Sequence, residues 1–200
     1  MKILSIHIFS LYQEKPIILS SAFALSFISI FQRGTFKEFL NFHSRLVIDR
    51  VPKDTNAEVQ LEKGICFAIS NSDKIGATMI CDEEYPKRVA IEFLMKILDN
   101  FKIFIKEKKI DLNLYTVDTD IKYDYIKNEI EDWQDPSKKD GIMKLQDELN
   151  DICDIMKKNI NELIKREENL ETLIIKSEEI SQTSKIFYKN AKKTNRCCNF

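Results

Sequence analysis

Residues 149–173, LNDICDIMKKNINELIKREENLETL, decide the reading of this chain. Apolar and small side chains recur there in alternating steps of three and four, and the stepping continues in both directions. The full register is Ile142, Leu145, Leu149, Ile152, Met156, Asn159, Leu163, Arg166, Leu170, Leu173, Ser177, Ile180, Ser184, Phe187, Ala191 and Thr194. This is the a/d seam of a coiled coil sustained over about seven heptads, a rod of roughly 80 Å if wholly helical. A lone helix cannot bury such a seam, so the pattern calls for partner helices.

Arg166 stands in the middle of the seam, where desolvating an unpaired guanidinium costs on the order of several kcal/mol. Its donors therefore need acceptors from neighbouring strands of a bundle. Neutral amide oxygens satisfy them without adding a second buried charge, and a lone polar layer also fixes register. The bland reading is an arginine whose head reaches water from an ordinary dimer. Small residues at Ser177, Ser184 and Ala191 let helices approach closely, while Asn159 and Thr194 weaken a simple dimer, so the seam suits a bundle of several different chains.

Upstream, residues 134–141 (QDPSKKDG) carry no hydrophobic period and include Pro136 and Gly141, which marks a linker. Before it the periodicity is mixed. Residues 3–9, 17–23 and 26–31 read as strands, with Leu4, Ile6 and Ile8 on one face of the first. Thr35 and Glu38 have capping-box spacing ahead of a helix over residues 36–50. A polar loop through Lys53, Asp54, Thr55 and Asn56 leads to a hairpin of residues 65–70 and 75–81. Pro86 then opens a second helix, with Val89, Phe93, Leu94, Ile97, Leu98 and Phe101 facing the sheet, and Asp82, Glu83 and Glu84 complement its dipole. A shorter helical stretch spans residues 123–133. The expected organisation is an α+β domain over 1–133, a linker over 134–141, a coiled coil over 142–194 and a tail over 195–200.

With 44% hydrophobic residues in 200, the chain can bury one real core, and a formal net charge of −1 gives no general attraction to nucleic acid. The five cysteines sit in three unlike settings, with neither zinc spacing nor a disulfide framework, which suits a reducing compartment. The apolar run over residues 16–31 falls short of the roughly 20 residues that span a bilayer. Two histidines, His7 and His43, fit structural positions better than catalytic ones, and no glycine-rich phosphate loop occurs, so no enzyme is read here. The ending Cys197-Cys198-Asn199-Phe200 fits a C-a-a-X prenylation signal, and its Phe favours geranylgeranyl. One chain binds membranes only marginally, so a second signal is expected. Lys189, Lys192, Lys193 and Arg196 offer electrostatic attraction to an anionic leaflet.

The runs Leu149 to Met156 and Leu163 to Leu170 resemble the R-SNARE motif of the synaptobrevin class, with Arg166 at the central ionic layer. Phe31-Gln32-Arg33 and Asp82-Glu83-Glu84-Tyr85-Pro86-Lys87-Arg88 resemble a longin domain. The tail is similar to that of longin SNAREs that carry a lipid in place of a transmembrane anchor, although it is one residue shorter after the second cysteine. Cys197 alone or both Cys197 and Cys198 can be the lipid acceptors under that likeness. The resemblance implies a profilin-like longin domain, a five-stranded antiparallel sheet between helices, followed by a long SNARE helix. It implies fusion of intracellular vesicles through a four-helix bundle with three Q-SNARE helices, restrained by the longin domain, where Phe42 is the candidate inhibitory residue. It further implies a prenyltransferase and SNARE disassembly machinery as partners, no cofactor beyond covalent lipid, and a cytosolic pool alongside the cytoplasmic face of Golgi, endosomal or vesicle membranes. The rival reading is a non-fusogenic longin adaptor or tether whose coiled coil dimerises or regulates SNARE assembly.

Overall fold

The computed structural model describes residues 2–136, 155–164 and 168–197. Strands β1 (Ile3–Ser10) and β2 (Ile17–Phe23) form an antiparallel hairpin, helix α1 (Arg33–Arg50) follows, and β3 (Thr55–Gln60), β4 (Ile65–Ser70) and β5 (Ile75–Cys81) form a meander. β5 returns to pair antiparallel with β1, which places β1 inside the sheet. Its residues are almost all buried because helices cover both faces. On one face lie α2 (Lys87–Glu107) and α3 (Tyr125–Asp132), where Val89, Phe93, Leu94, Ile97 and Phe101 pack with Ile6, Ile8, Phe67 and Met79. Phe93 stacks on Trp133 with ring centroids 4.2 Å apart, and the Tyr85 hydroxyl donates to the Trp133 carbonyl at 2.8 Å. On the other face, α1 sets Leu40, Val47 and Ile48 over Phe9, Ala57, Val59 and Ile80. Gly76 permits this approach, since a Cβ there would lie 2.8 Å from Ile48 Cδ1.

A sixth strand joins this sheet from beyond the linker. β6 (Ile155–Asn159) pairs parallel with β3, giving the order β2-β1-β5-β4-β3-β6. Strand addition satisfies the outer amides and carbonyls of β3, which would otherwise be an open edge. At the opposite edge the Thr119 and Ile121 amides donate to the Ile18 and Leu19 carbonyls, so β2 is covered as well. The longin portion thus holds the five antiparallel strands expected, and the C-terminal portion adds one.

Four local expectations change. Residues 26–31 are a turn-rich loop rather than a strand, because the Arg33 side chain donates to the Ser26 and Ile28 carbonyls and leaves none of the loop in a ladder. Thr55 and Asn56 begin β3 rather than lying in a loop. Helix α1 starts at Arg33 without a side-chain cap, so Thr35 and Glu38 do not form the capping box. The described part of residues 142–194 is no continuous rod: β6 is followed by α4 (Ile160–Leu163), α5 (Leu170–Lys176) and α6 (Gln182–Cys197). Side-chain caps account for the divisions. Asn159 accepts from the Asn161 amide, Asn169 from the Thr172 amide, and Ser181 from the Ser184 amide, each offering the backbone a helix start. Among the described residues no helix is long and apolar enough to cross a membrane.

His7 and the two internal cysteines are structural. His7 is fully buried on β1, with Nε2 2.8 Å from Asn41 Oδ1 and Nδ1 2.9 Å from Ser44 Oγ, so a neutral ring donates to Asn41 and accepts from Ser44. Burial, with the positive charge of Arg45 nearby, lowers its pKa to about 4. Burial pushes the Cys66 and Cys81 thiols up, which keeps both protonated. The unfolded chain takes up the His7 proton near pH 6.5, whereas the folded protein refuses it until about 4. Stability is therefore complete above pH 6.5 and falls by up to about 3 kcal/mol as the pH drops to 4. Denaturant unfolding across that range checks this, and His7→Gln should flatten the slope.

Candidate functional site

The site is the surface of α1 and β3 that receives the C-terminal segment. Seam positions Leu163, Leu170 and Ile180 are each buried to 9% exposure or less, and Met156 and Leu173 pack against the same cluster. Ile160, Ile164 and Ile174 join them, although all three lie beside the seam rather than on it. Phe42, on α1, is 9% exposed and belongs to this cluster. Each fully buried aliphatic side chain is worth about 1.5–3 kcal/mol against exposure, as an upper bound. The arrangement removes from water several of the groups a helical bundle would need.

Polar contacts fix the register. Arg45, only 6% exposed, donates from Nε to Glu179 Oε2 at 3.0 Å and from Nη2 to Asp118 Oδ2 at 2.5 Å, with Nη1 on the Pro16 carbonyl. Lys15 also reaches Glu179, at 2.5 Å. Glu38 accepts from the Ser181 amide at 2.8 Å, and the Ser184 and Thr35 hydroxyls lie 3.1 Å apart. The residues expected to cap α1 locally therefore hold the far end of the chain. Arg45 is satisfied in part by Asp118 and Pro16 within the domain, so departure of Glu179 would not strand an unpaired buried charge.

Beside this contact an apolar cleft of about 310 Å³ opens between α1 and α6, lined by Phe36, Phe39, Leu40, His43, Phe187 and Tyr188. His43 Nδ1 donates to the Phe39 carbonyl at 2.7 Å, which turns the ring toward the cleft wall, and Tyr188 lies 5.9 Å from Phe39 between centroids. Lys192 pairs with Glu171 at 2.7 Å, tying α6 to α5. Seam residues Phe187 and Ala191 remain exposed on α6.

Arg166, Ile142, Leu145, Leu149, Ile152 and Cys198 lie outside the described residues. Cys197 closes α6. The roles of Arg45, Glu179 and the three flanking isoleucines were not read from sequence. The one local signal was Ile160 and Ile164, four residues apart and off the seam, which a bundle alone does not require.

Two families match this chain. Residues 141–199 match the family described as synaptobrevin, and residues 24–125 match the longin family, described as a regulated-SNARE-like domain. The chain is 35% identical over 198 residues to "Synaptobrevin homolog YKT6" of Debaryomyces hansenii, covering 99% of this chain and 98% of that one. It is 34% identical over 199 residues to "Synaptobrevin homolog ykt6" of Schizosaccharomyces pombe, with 99% and 98% covered. "VAMP-like protein YKT61" of Arabidopsis thaliana is 34% identical over 183 residues, 92% of this chain and 90% of that one.

Ile174→Glu leaves every seam position intact but places a charge where the closed form has 0% exposure. The equilibrium should move toward release of the C-terminal segment by at least about tenfold. Hydrogen exchange at the β3 amides reads this directly: faster exchange in the variant is expected, and unchanged protection would remove Ile174 from the contact.

Proposed function

The chain belongs to the longin-domain synaptobrevin homologues, R-SNAREs of vesicle fusion that act by assembly with other SNAREs rather than by catalysis, and from that premise we propose a two-state cycle. In the closed state, described above, the SNARE segment is spent on the longin domain. In the open state residues 142–194 form one helix and zip with three Q-SNARE helices, Arg166 meeting their glutamines at the central layer. Progressive burial of the seam draws the two bilayers together, and no bond is made or broken. Disassembly machinery then returns the segment to its own domain.

The observation that carries this reading is the burial of Leu163, Leu170 and Ile180 against the longin domain. The same side chains cannot face two partners at once, so folding back and bundle assembly compete. Phe42 is suited to the brake, because it belongs to the buried cluster that takes in Leu163, Leu170 and Ile174. The full-length likeness to synaptobrevin homologues leaves the adaptor reading without a feature of its own.

Anchoring follows from the tail. A prenyltransferase places one geranylgeranyl group on Cys197, or two on Cys197 and Cys198, and the protein then divides between a cytosolic pool and the cytoplasmic face of Golgi, endosomal or vesicle membranes. In the closed state the apolar cleft beside α6 offers the prenyl chain a dry position. The domain boundaries 1–133, 134–141, 142–194 and 195–200 serve this cycle.

Mixing with three Q-SNARE helices tests the proposal. Residues 138–196 alone should gain helicity and melt cooperatively with the partners, the full chain should assemble at least about tenfold more slowly, and Arg166→Gln should destabilise the four-helix complex. Equal assembly rates for the fragment and the full chain would contradict the brake. Helicity of the fragment that partners do not change would contradict the bundle.

A further inference from the structure

The loop between β2 and α1 exposes its apolar residues in a way the SNARE cycle does not use. Phe27 is 48% exposed, Ile30 71% and Phe31 93%. Three large apolar side chains so close in sequence form a contiguous liability unless something covers them. The loop is not a fraying end. Arg33 Nε donates to the Ile28 carbonyl at 3.0 Å and Nη2 to the Ser26 carbonyl at 3.2 Å, while the Ile28 amide donates to Leu25 and the Gln32 amide to Ser29. Leu25 is buried and Ile28 packs on the core, so the loop is anchored by alternate residues while Phe27, Ile30 and Phe31 are held outward. The described part of the folded-back segment leaves them uncovered, since they keep this exposure with that segment in place.

Cations flank the base of the same loop. Lys2 Nζ lies 4.7 Å from the Phe27 ring centroid, Lys37 Nζ lies 5.2 Å from that of Phe23, and Arg33 closes the loop's base. Glu131 shares a hollow with Lys2 and Phe27, and Ile30 and Phe31 do not line it. Apolar tips with lysines at their base match the interface of an anionic bilayer, where rings enter the acyl boundary and ammonium groups stay among the headgroups. A protein partner of the same footprint would have to supply both an apolar pocket and a ring of carboxylates.

We propose that the β2–α1 loop is a membrane-contact element, inserting Ile30 and Phe31, with Phe27 at the margin, into the interface of an anionic phospholipid bilayer. It supplies, on the longin domain itself, the second attachment that a single prenyl chain needs. Its use in the cell rests on the lipid-anchor reading, but the contact itself does not. In both the closed and the open state the loop is available, so it biases the domain to lie on the membrane it serves.

The test uses the full chain without prenylation, sedimented with vesicles of phosphatidylcholine alone or with about one third phosphatidylserine. Binding to the anionic vesicles that weakens about tenfold in Ile30→Ser/Phe31→Ser, and that weakens with added salt, is the expected result. Both positions are exposed, so the variant should melt like the parent. No binding, binding that the double variant leaves unchanged, or equal binding to neutral vesicles would overturn the proposal; loss of a protein partner with vesicle binding intact would reassign the loop to protein docking. A separate prenylation assay on Cys197→Ser judges the anchor, so the two readings fail independently.

Discussion

The same apolar side chains can be buried once. A SNARE seam of this length exposes more apolar surface than a lone helix can tolerate, and the chain offers it two destinations: the partner helices, or the chain's own domain. Everything distinctive in the structure follows from the second choice. β6 adds to the edge of β3, α1 presents an apolar face rather than a solvated one, and seam positions Asn159 and Ser177 become breaks.

The energetics favour a reversible contact rather than a permanent one. Aliphatic burial at Leu163, Leu170, Ile174 and Ile180 is substantial, yet the segment is divided by caps at Asn159, Asn169 and Ser181 that a continuous helix would forgo. Each cap is worth about 1 kcal/mol, similar to what a few residues gain on joining a supported helix. The buried Arg45 keeps Asp118 and Pro16 when Glu179 leaves, so opening carries no severe electrostatic penalty. That balance lets partner helices compete for the segment.

Periodicity made much of this legible. Strands β1, β2, β4 and β5 and helices α1, α2 and α3 all followed from runs whose period and flanking turns agree, and Val89, Phe93, Leu94, Ile97, Leu98 and Phe101 face the sheet as their spacing implies. The failures share one cause. Thr35 and Glu38 were read as local partners but bond to Ser184 and Ser181, and Thr55 and Asn56 look like loop but begin an edge strand. Heptad spacing over 142–194 describes the segment's preferred assembly, whereas the conformation here is dictated by a surface more than a hundred residues away in sequence. Local pattern cannot reveal which of two burial partners is occupied. Residues 26–31 read as a strand because Phe27, Ile28, Ile30 and Phe31 favour strands, while Arg33, bonding backward, sets the loop.

Distance between β3 and β6 tests the central claim most directly. Spin labels at Gln60 and Lys158 on the full chain, measured by double electron–electron resonance, should give one short distance for the chain alone, as expected of adjacent parallel strands. Adding three Q-SNARE helices should replace it with a long, broad distribution. A short distance that persists within the assembled complex, or its absence from the free chain, would contradict competition for the seam.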